Sequence, residues 1–194
     1  MFHPDFGLWF NEGVRHILSA GALDHILFIT ALCIAYRVGE WKKTVLLVTA
    51  FTIGHSITLA AVALRYIQVN SAWVEFAIPL TIAFTAARQV FQPRTSAKAD
   101  PVLYGTALIF GFIHGMAYGA NPIGSLYTVR EAVPLVLGFN LGIELAQLVV
   151  VAVVMLLSYL VVRLCKLPER KWQLLLSSCI LIYAVYLCIK NNPF

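Results

Sequence analysis

Residues 44–66, TVLLVTAFTIGHSITLAAVALRY, form an apolar run with His55 and Ser56 near its centre. A bilayer crossing takes roughly 20 residues of helix, so this run is long enough to span. An imidazole at mid-membrane is costly unless another group meets it, which makes it a functional position by default. The constraint on the whole chain is therefore what meets His55. The candidates on other segments are His16, Asp24, His25, Glu75, His114 and Glu144.

Composition agrees with a membrane setting. Of 194 residues, 60% are hydrophobic and 12% charged, where an ordinary soluble domain is about 25% charged. A polytopic membrane protein of one domain, residues 1–194, follows. The cysteines Cys33, Cys165, Cys179 and Cys188 form no CxxC and no zinc-ribbon spacing. In apolar runs Cys behaves as a small hydrophobe. The N-terminal MFHPDFGLWF lacks a basic region followed by an apolar stretch, so no cleavable signal is expected.

The pattern predicts an all-α fold: six transmembrane helices preceded by a short amphipathic helix. Leu8, Trp9, Phe10, Val14, Ile17 and Leu18 place an interfacial helix over residues 7–19. The spans are expected at residues 22–36, 44–66, 73–91, 102–118, 132–164 and 172–189. The first is short and the fifth is longer than one crossing needs. Pro79 is expected to kink the third.

Six spans put both termini on one side. The loops after spans one, three and five, with the adjoining span ends at Arg88 and Arg163, carry Arg37, Lys42, Lys43, Arg88, Arg94, Lys98, Arg163, Lys166, Arg170 and Lys171. The other side has Arg15, Arg65, Arg130 and Lys190. The positive-inside rule then places both termini outside. It also explains the net charge of +5 without nucleic acid, which would need a basic groove with exposed aromatics.

With that orientation the polar residues share a depth. Asp24 and His25 open span one, His55 is mid-span, and His114 lies late in span four. Glu144 lies about a dozen residues into span five. Asn140, Glu144, Gln147 and Val151 form one helical stripe, and Thr52, His55, Ser56 and Leu59 another. Gly111, Gly115, Gly119, Gly138 and Gly142 flank the stripes, and small-xxx-small repeats let helices approach closely. Spans four and five are thus expected beside span two, bringing His114 and Glu144 towards His55. Imidazoles with one or two carboxylates suit a divalent transition metal, with nickel or zinc foremost and cobalt or iron acceptable. The absence of a Cys pair or thioether cluster disfavours copper(I). The plainer alternative is that these groups only hydrogen-bond one another. His3 is terminal, Glu75 sits at the interface, and Asp24 could merely orient His25 or cap its helix.

The blocks GVRHILSAGALDHILF, TAFTIGHSITLA, VEFAIPLTIAFTAARQV, FGFIHGMAYG and GFNLGIELAQL resemble, in order, those of the HupE/UreJ membrane proteins. The resemblance covers nearly all the chain except the last span. It implies a hydrogenase or urease accessory protein that lets nickel, or nickel and cobalt, permeate the bacterial cytoplasmic membrane. It implies metal contact for His16, Asp24, His25, His55, His114 and Glu144.

Two functions compete. In the first, a divalent metal of the Ni²⁺ type enters an outward-opening cluster and is relayed inward. In the second, an intramembrane zinc hydrolase acts on a lipid or lipidated substrate. Asp24 or Glu144 would then be general base, and Ser56 or Asn140 an oxyanion donor. The partners are membrane lipid and the metal ion, with no nucleic acid. A homo-oligomer is compatible with the same sequence.

Overall fold

The computed structural model describes residues 6–19, 21–92, 100–119 and 128–193. Among the described residues seven α-helices follow in order: α1 Phe6–Leu18, α2 Leu23–Cys33, α3 Trp41–Ala63, α4 Ser71–Phe91, α5 Pro101–Gly119, α6 Val129–Arg163 and α7 Glu169–Lys190. A single 3-10 turn, Val38–Glu40, leads into α3. No strand occurs among the described residues. Five helices are long and apolar enough to cross a membrane, or six if α1 and α2, bent by 72°, form one broken span.

Local chemistry explains the boundaries. Asn70 caps α4, its side chain accepting from the Ala72 N–H at 3.1 Å. Thr128 and Glu131 form a capping box at the start of α6. Arg65, with φ 61°, and Lys166, with φ 54°, take left-handed conformations just beyond α3 and α6. The C-terminus of α4 is closed from another helix. Arg170 Nη1 donates to the Gln89 and Gln92 carbonyls at 2.9 Å, and Nη2 to the Val90 carbonyl at 2.7 Å.

The helices pack mainly as three pairs: α3 with α5, α1 with α6, and α4 with α7. Three glycines set the closest approaches: a Cβ on Gly13 of α1 would lie 2.1 Å from the Phe139 carbonyl oxygen of α6. A Cβ on Gly111 of α5 would lie 2.1 Å from the Phe51 carbonyl oxygen of α3. A Cβ on Gly142 of α6 would lie 2.1 Å from the Phe10 carbonyl oxygen of α1. Between the pairs runs α2, with His25, Phe28, Ile29, Ala31, Leu32 and Cys33 buried.

The outer faces stay apolar. Leu141, Leu145 and Val149 of α6 are each about half exposed, and Ile182 and Ile189 of α7 about three-quarters. Such outward stripes suit hydrocarbon and would be a liability in water.

Three expectations change. First, α2 has 11 residues and rises about 16 Å, roughly half of a 30 Å hydrocarbon core. Second, α1 is helical as expected, yet Trp9, Gly13 and Ile17 bury against neighbours; its face meets α6 rather than headgroups alone. Third, Gly138 and Gly142 receive α1 and not α3. Pro79 lies inside α4, which continues on both sides of it.

The basic loops meet at one end. Arg37 Nε lies 3.8 Å from Glu169, Lys43 Nζ 2.5 Å from Glu40, and Arg88 2.6 Å from Asp100. Tyr36 joins them, its hydroxyl accepting from the Asp100 N–H at 3.1 Å. Arg94, Lys98 and His3 lie outside the described residues.

Candidate metal centre

Four of the chain's five histidines come from four helices to one place. His16 is on α1, His25 on α2, His55 on α3 and His114 on α5. The His25 and His114 rings lie 4.3 Å apart, centroid to centroid. The corresponding distances are 4.9 Å for His16 and His25 and 6.5 Å for His16 and His55. Phe51 and Phe110 stand against His25 and His114, so the walls are apolar.

Asp24 is the hub. Its Oδ1 lies 3.0 Å from His25 Nδ1 and its Oδ2 3.1 Å from His114 Nε2. One ligand atom from each of Asp24, His25 and His114 falls within 4.8 Å of the others. His25 and His114 are each 3% exposed, whereas the Asp24 side chain is 25% exposed. Asp24 is therefore the doorway of a buried group. It is not the helix cap: Ala22 occupies the N-cap position with no side-chain cap bond.

Hydrogen-bond roles can be deduced for each ring. His25 Nδ1–H donates to Asp24 Oδ1, which in the neutral ring leaves Nε2 as a bare lone pair. That atom is buried and has no partner among the described residues. His114 Nδ1 is 3.2 Å from the Phe110 carbonyl, which can only accept. In the neutral ring Nε2 then also carries a lone pair, and it faces a carboxylate oxygen. Two acceptors at 3.1 Å repel unless positive charge joins them, as a proton or as a cation. Two donors about 2.1 Å from one ion are themselves about 3.0–3.4 Å apart, so the observed spacing suits both. Metal-bound His normally donates its other N–H to a carboxylate or carbonyl, and both rings do so.

The remaining candidates lie further along α3 and α6. His55 is fully buried, and its Nδ1 is 2.8 Å from Asn140 Oδ1. Glu144 makes its contacts with hydroxyls: Thr49 Oγ1 donates to Oε1 at 2.6 Å, and the Thr52 hydroxyl lies against Oε2. Thr52 is also 3.1 Å from Gln147 Oε1. The Ser56 hydroxyl donates to the Thr52 carbonyl of its own helix at 2.7 Å. Glu75 is exposed.

His114 thus joins Asp24 and His25, while Glu144 belongs to an oxygen group with Thr49, Thr52 and Gln147. Reading the sequence singled out Thr52 and Gln147 but not Thr49, although Thr49, Thr52 and His55 recur every third residue on one face. Tyr118 was also missed. It stands 5.1 Å from the His16 ring and 4.1 Å from Phe139, and an aromatic at a span end gives no signal of its own.

A model of the family described as HupE / UreJ protein matches residues 2–190 of the chain. No curated protein and no solved structure matches it.

Proposed function

The chain belongs to the HupE/UreJ family, and from that premise we propose that it binds a divalent transition metal of the nickel class and carries it across the membrane. The observation that carries this reading is the grouping of ligand atoms from Asp24, His25 and His114. In the neutral ring His114 Nε2 turns a lone pair to Asp24 Oδ2 at 3.1 Å, and His25 Nε2 has no hydrogen-bond partner among the described residues. Buried lone pairs without donors are costly, and a cation removes that cost. Nitrogen and carboxylate donors without sulfur suit nickel, cobalt or zinc over copper(I).

His16 completes the entry group. Rings bound to one ion at about 2.1 Å stand with centroids about 4.5–5.2 Å apart; the 4.9 Å between His16 and His25 lies in that range, and the 4.3 Å between His25 and His114 falls just short of it. The ion is cargo, so the ligands must release it. A half-open carboxylate such as Asp24 can exchange with water more readily than a sealed one. The clustering of Arg37, Lys43, Arg88 and Arg170 at the far end of α2 and α3 supports an outward-facing Asp24 with the basic end in the cytoplasm.

The hydrolase alternative has less support. It needs a general base and an oxyanion donor beside the metal. Ser56 is turned onto its own helix and Glu144 onto Thr49 and Thr52. Asp24 already serves both imidazoles.

The test is uptake of Ni²⁺ and Co²⁺ into proteoliposomes, beside metal analysis of purified protein and turnover of lipid esters and amides. Metal binding with directional flux is the expected result. Hydrolysis without flux would replace this reading.

A further inference from the structure

The entry group leaves one wholly buried imidazole without a part. His55 is 0% exposed and lies outside the group of Asp24, His25 and His114. Its Nε2 has no hydrogen-bond partner among the described residues. Its Nδ1 meets Asn140 Oδ1 at 2.8 Å.

The orientation of that amide follows from chemistry. Asn140 Nδ2 lies 2.7 Å from the Val136 carbonyl, and a carbonyl can only accept. The amide nitrogen must face Val136, so the amide oxygen faces His55. His55 Nδ1 therefore carries the proton, and Nε2 presents a bare lone pair. Phe51 and Phe139 flank the ring, so water does not replace the missing partner cheaply. This is the form in which His takes a metal.

Its place in the bundle is between two polar groups. On one side stands His16, 6.5 Å from His55 and 4.9 Å from His25. On the other, Thr52 is three residues before His55 and Glu144 four residues after Asn140, one helical turn on along both faces. There Glu144, Thr49, Thr52 and Gln147 gather five oxygens. The order His16, His55, Glu144 runs from the doorway towards the end that carries Lys43.

We propose that His55 is a transfer ligand: it takes the ion from the entry group by way of His16 and passes it to the Glu144 oxygens. Asn140 is the positioning residue that keeps His55 Nε2 free of a proton. The inference rests on the metal reading. The His16 and His55 rings, 6.5 Å apart, stand about 1.3 Å beyond the spacing that lets two imidazoles share one ion. A swing of the half-buried His16 ring closes that gap.

The experiment uses Co²⁺ with full-length protein, in detergent for binding and in proteoliposomes for flux. The variants are His55→Phe, Asn140→Leu and Asn140→Asp. Both His55→Phe and Asn140→Leu should bind Co²⁺ at wild-type stoichiometry and affinity, with flux reduced by about tenfold or more. Asn140→Asp keeps an acceptor for Nδ1–H and should recover flux relative to Asn140→Leu. In ¹⁵N-histidine spectra the Nδ1–H form of His55 should persist in wild type and Asn140→Asp and become mixed in Asn140→Leu. Should His55→Phe aggregate, His55→Gln is read instead. Wild-type flux in His55→Phe or Asn140→Leu overturns the proposal. So does loss of Co²⁺ affinity in His55→Phe, which would make His55 an entry ligand. So does an unchanged His55 tautomer in Asn140→Leu. Wild-type protein that neither binds nor moves Co²⁺ fails the metal reading itself, and that control is read first.

Discussion

His114 Nε2 stands 3.1 Å from Asp24 Oδ2, across 90 positions of sequence. The contact ties the C-terminal half of α5 to the first turn of α2. It also makes Asp24 common to two imidazoles, since Oδ1 serves His25. The charge on one carboxylate therefore governs two rings.

Replacing that charge should uncouple both. Asp24→Asn is expected to weaken metal binding about 10–100-fold, and His25→Ala to lose bound metal with flux. Both proteins should remain inserted and monodisperse: Ala22 holds the N-cap of α2, and an asparagine amide oxygen can still accept the His25 N–H that Asp24 Oδ1 takes at 2.8 Å. Titration calorimetry with Ni²⁺ and metal analysis after dialysis against a chelator check this. A full metal complement in His25→Ala removes His25 from the site.

Glu144 should behave differently. Glu144→Leu leaves the Thr49 and Thr52 hydroxyls without their carboxylate, at a cost of about 1 kcal/mol. Thr52 retains the Val48 carbonyl at 3.2 Å, which limits the loss. The entry group is untouched, so metal stoichiometry should equal that of wild type. Metal analysis decides the point, and a metal-free variant would make Glu144 an entry ligand.

Close helix approach predicts a contrast among glycines. Gly111→Ala and Gly142→Ala place a methyl 2.1 Å from backbone oxygen and should destabilise by about 1–3 kcal/mol or more. Gly105→Ala, in α5 with nothing within 4 Å, should be neutral or stabilising by up to about 1 kcal/mol. Thermal unfolding in detergent would show the difference.

The basic end predicts a pH dependence. Burial alone would push the Asp100 carboxyl up, but the bonds to Arg88 outweigh it and hold Asp100 below the usual carboxylate range. A depressed folded value stabilises above the unfolded value, about 3.9, and that contribution is lost as pH falls through the folded one. Wild type should therefore melt higher than Asp100→Asn near neutral pH, and the gap should close on acidification. A gap independent of pH would mean that the ion pair adds nothing to stability.

Most of the helices could be read from apolar runs, because a bilayer demands length and leaves few alternatives. The T-x-x-E of Thr128 and Glu131 carries a capping-box signal, yet the span expected from residue 132 leaves it out, and α6 begins three residues earlier at Val129. Pairing was harder. Glycine spacing announced close approach but not the partner: Gly142 meets α1, whereas Asn140, two residues away and about 200° round the helix, faces α3. The grouping of ligands failed for the same reason. Depth alone cannot separate His114, which turns to Asp24, from Glu144, which finds two threonine hydroxyls. The short α2 was signalled by its length, but the bend to α1 depends on packing that no local pattern records.

The glycine contacts divide the site between two welded bodies. Gly111 fastens α3 to α5, so His55 and His114 travel together; Gly142 fastens α1 to α6, so His16, Asn140 and Glu144 do. α2, with Asp24 and His25, lies in the seam. A rocking of one body against the other by an ångström or two would pull His16 and Asn140 away from His55 in a single stroke while sparing the bonds inside each body.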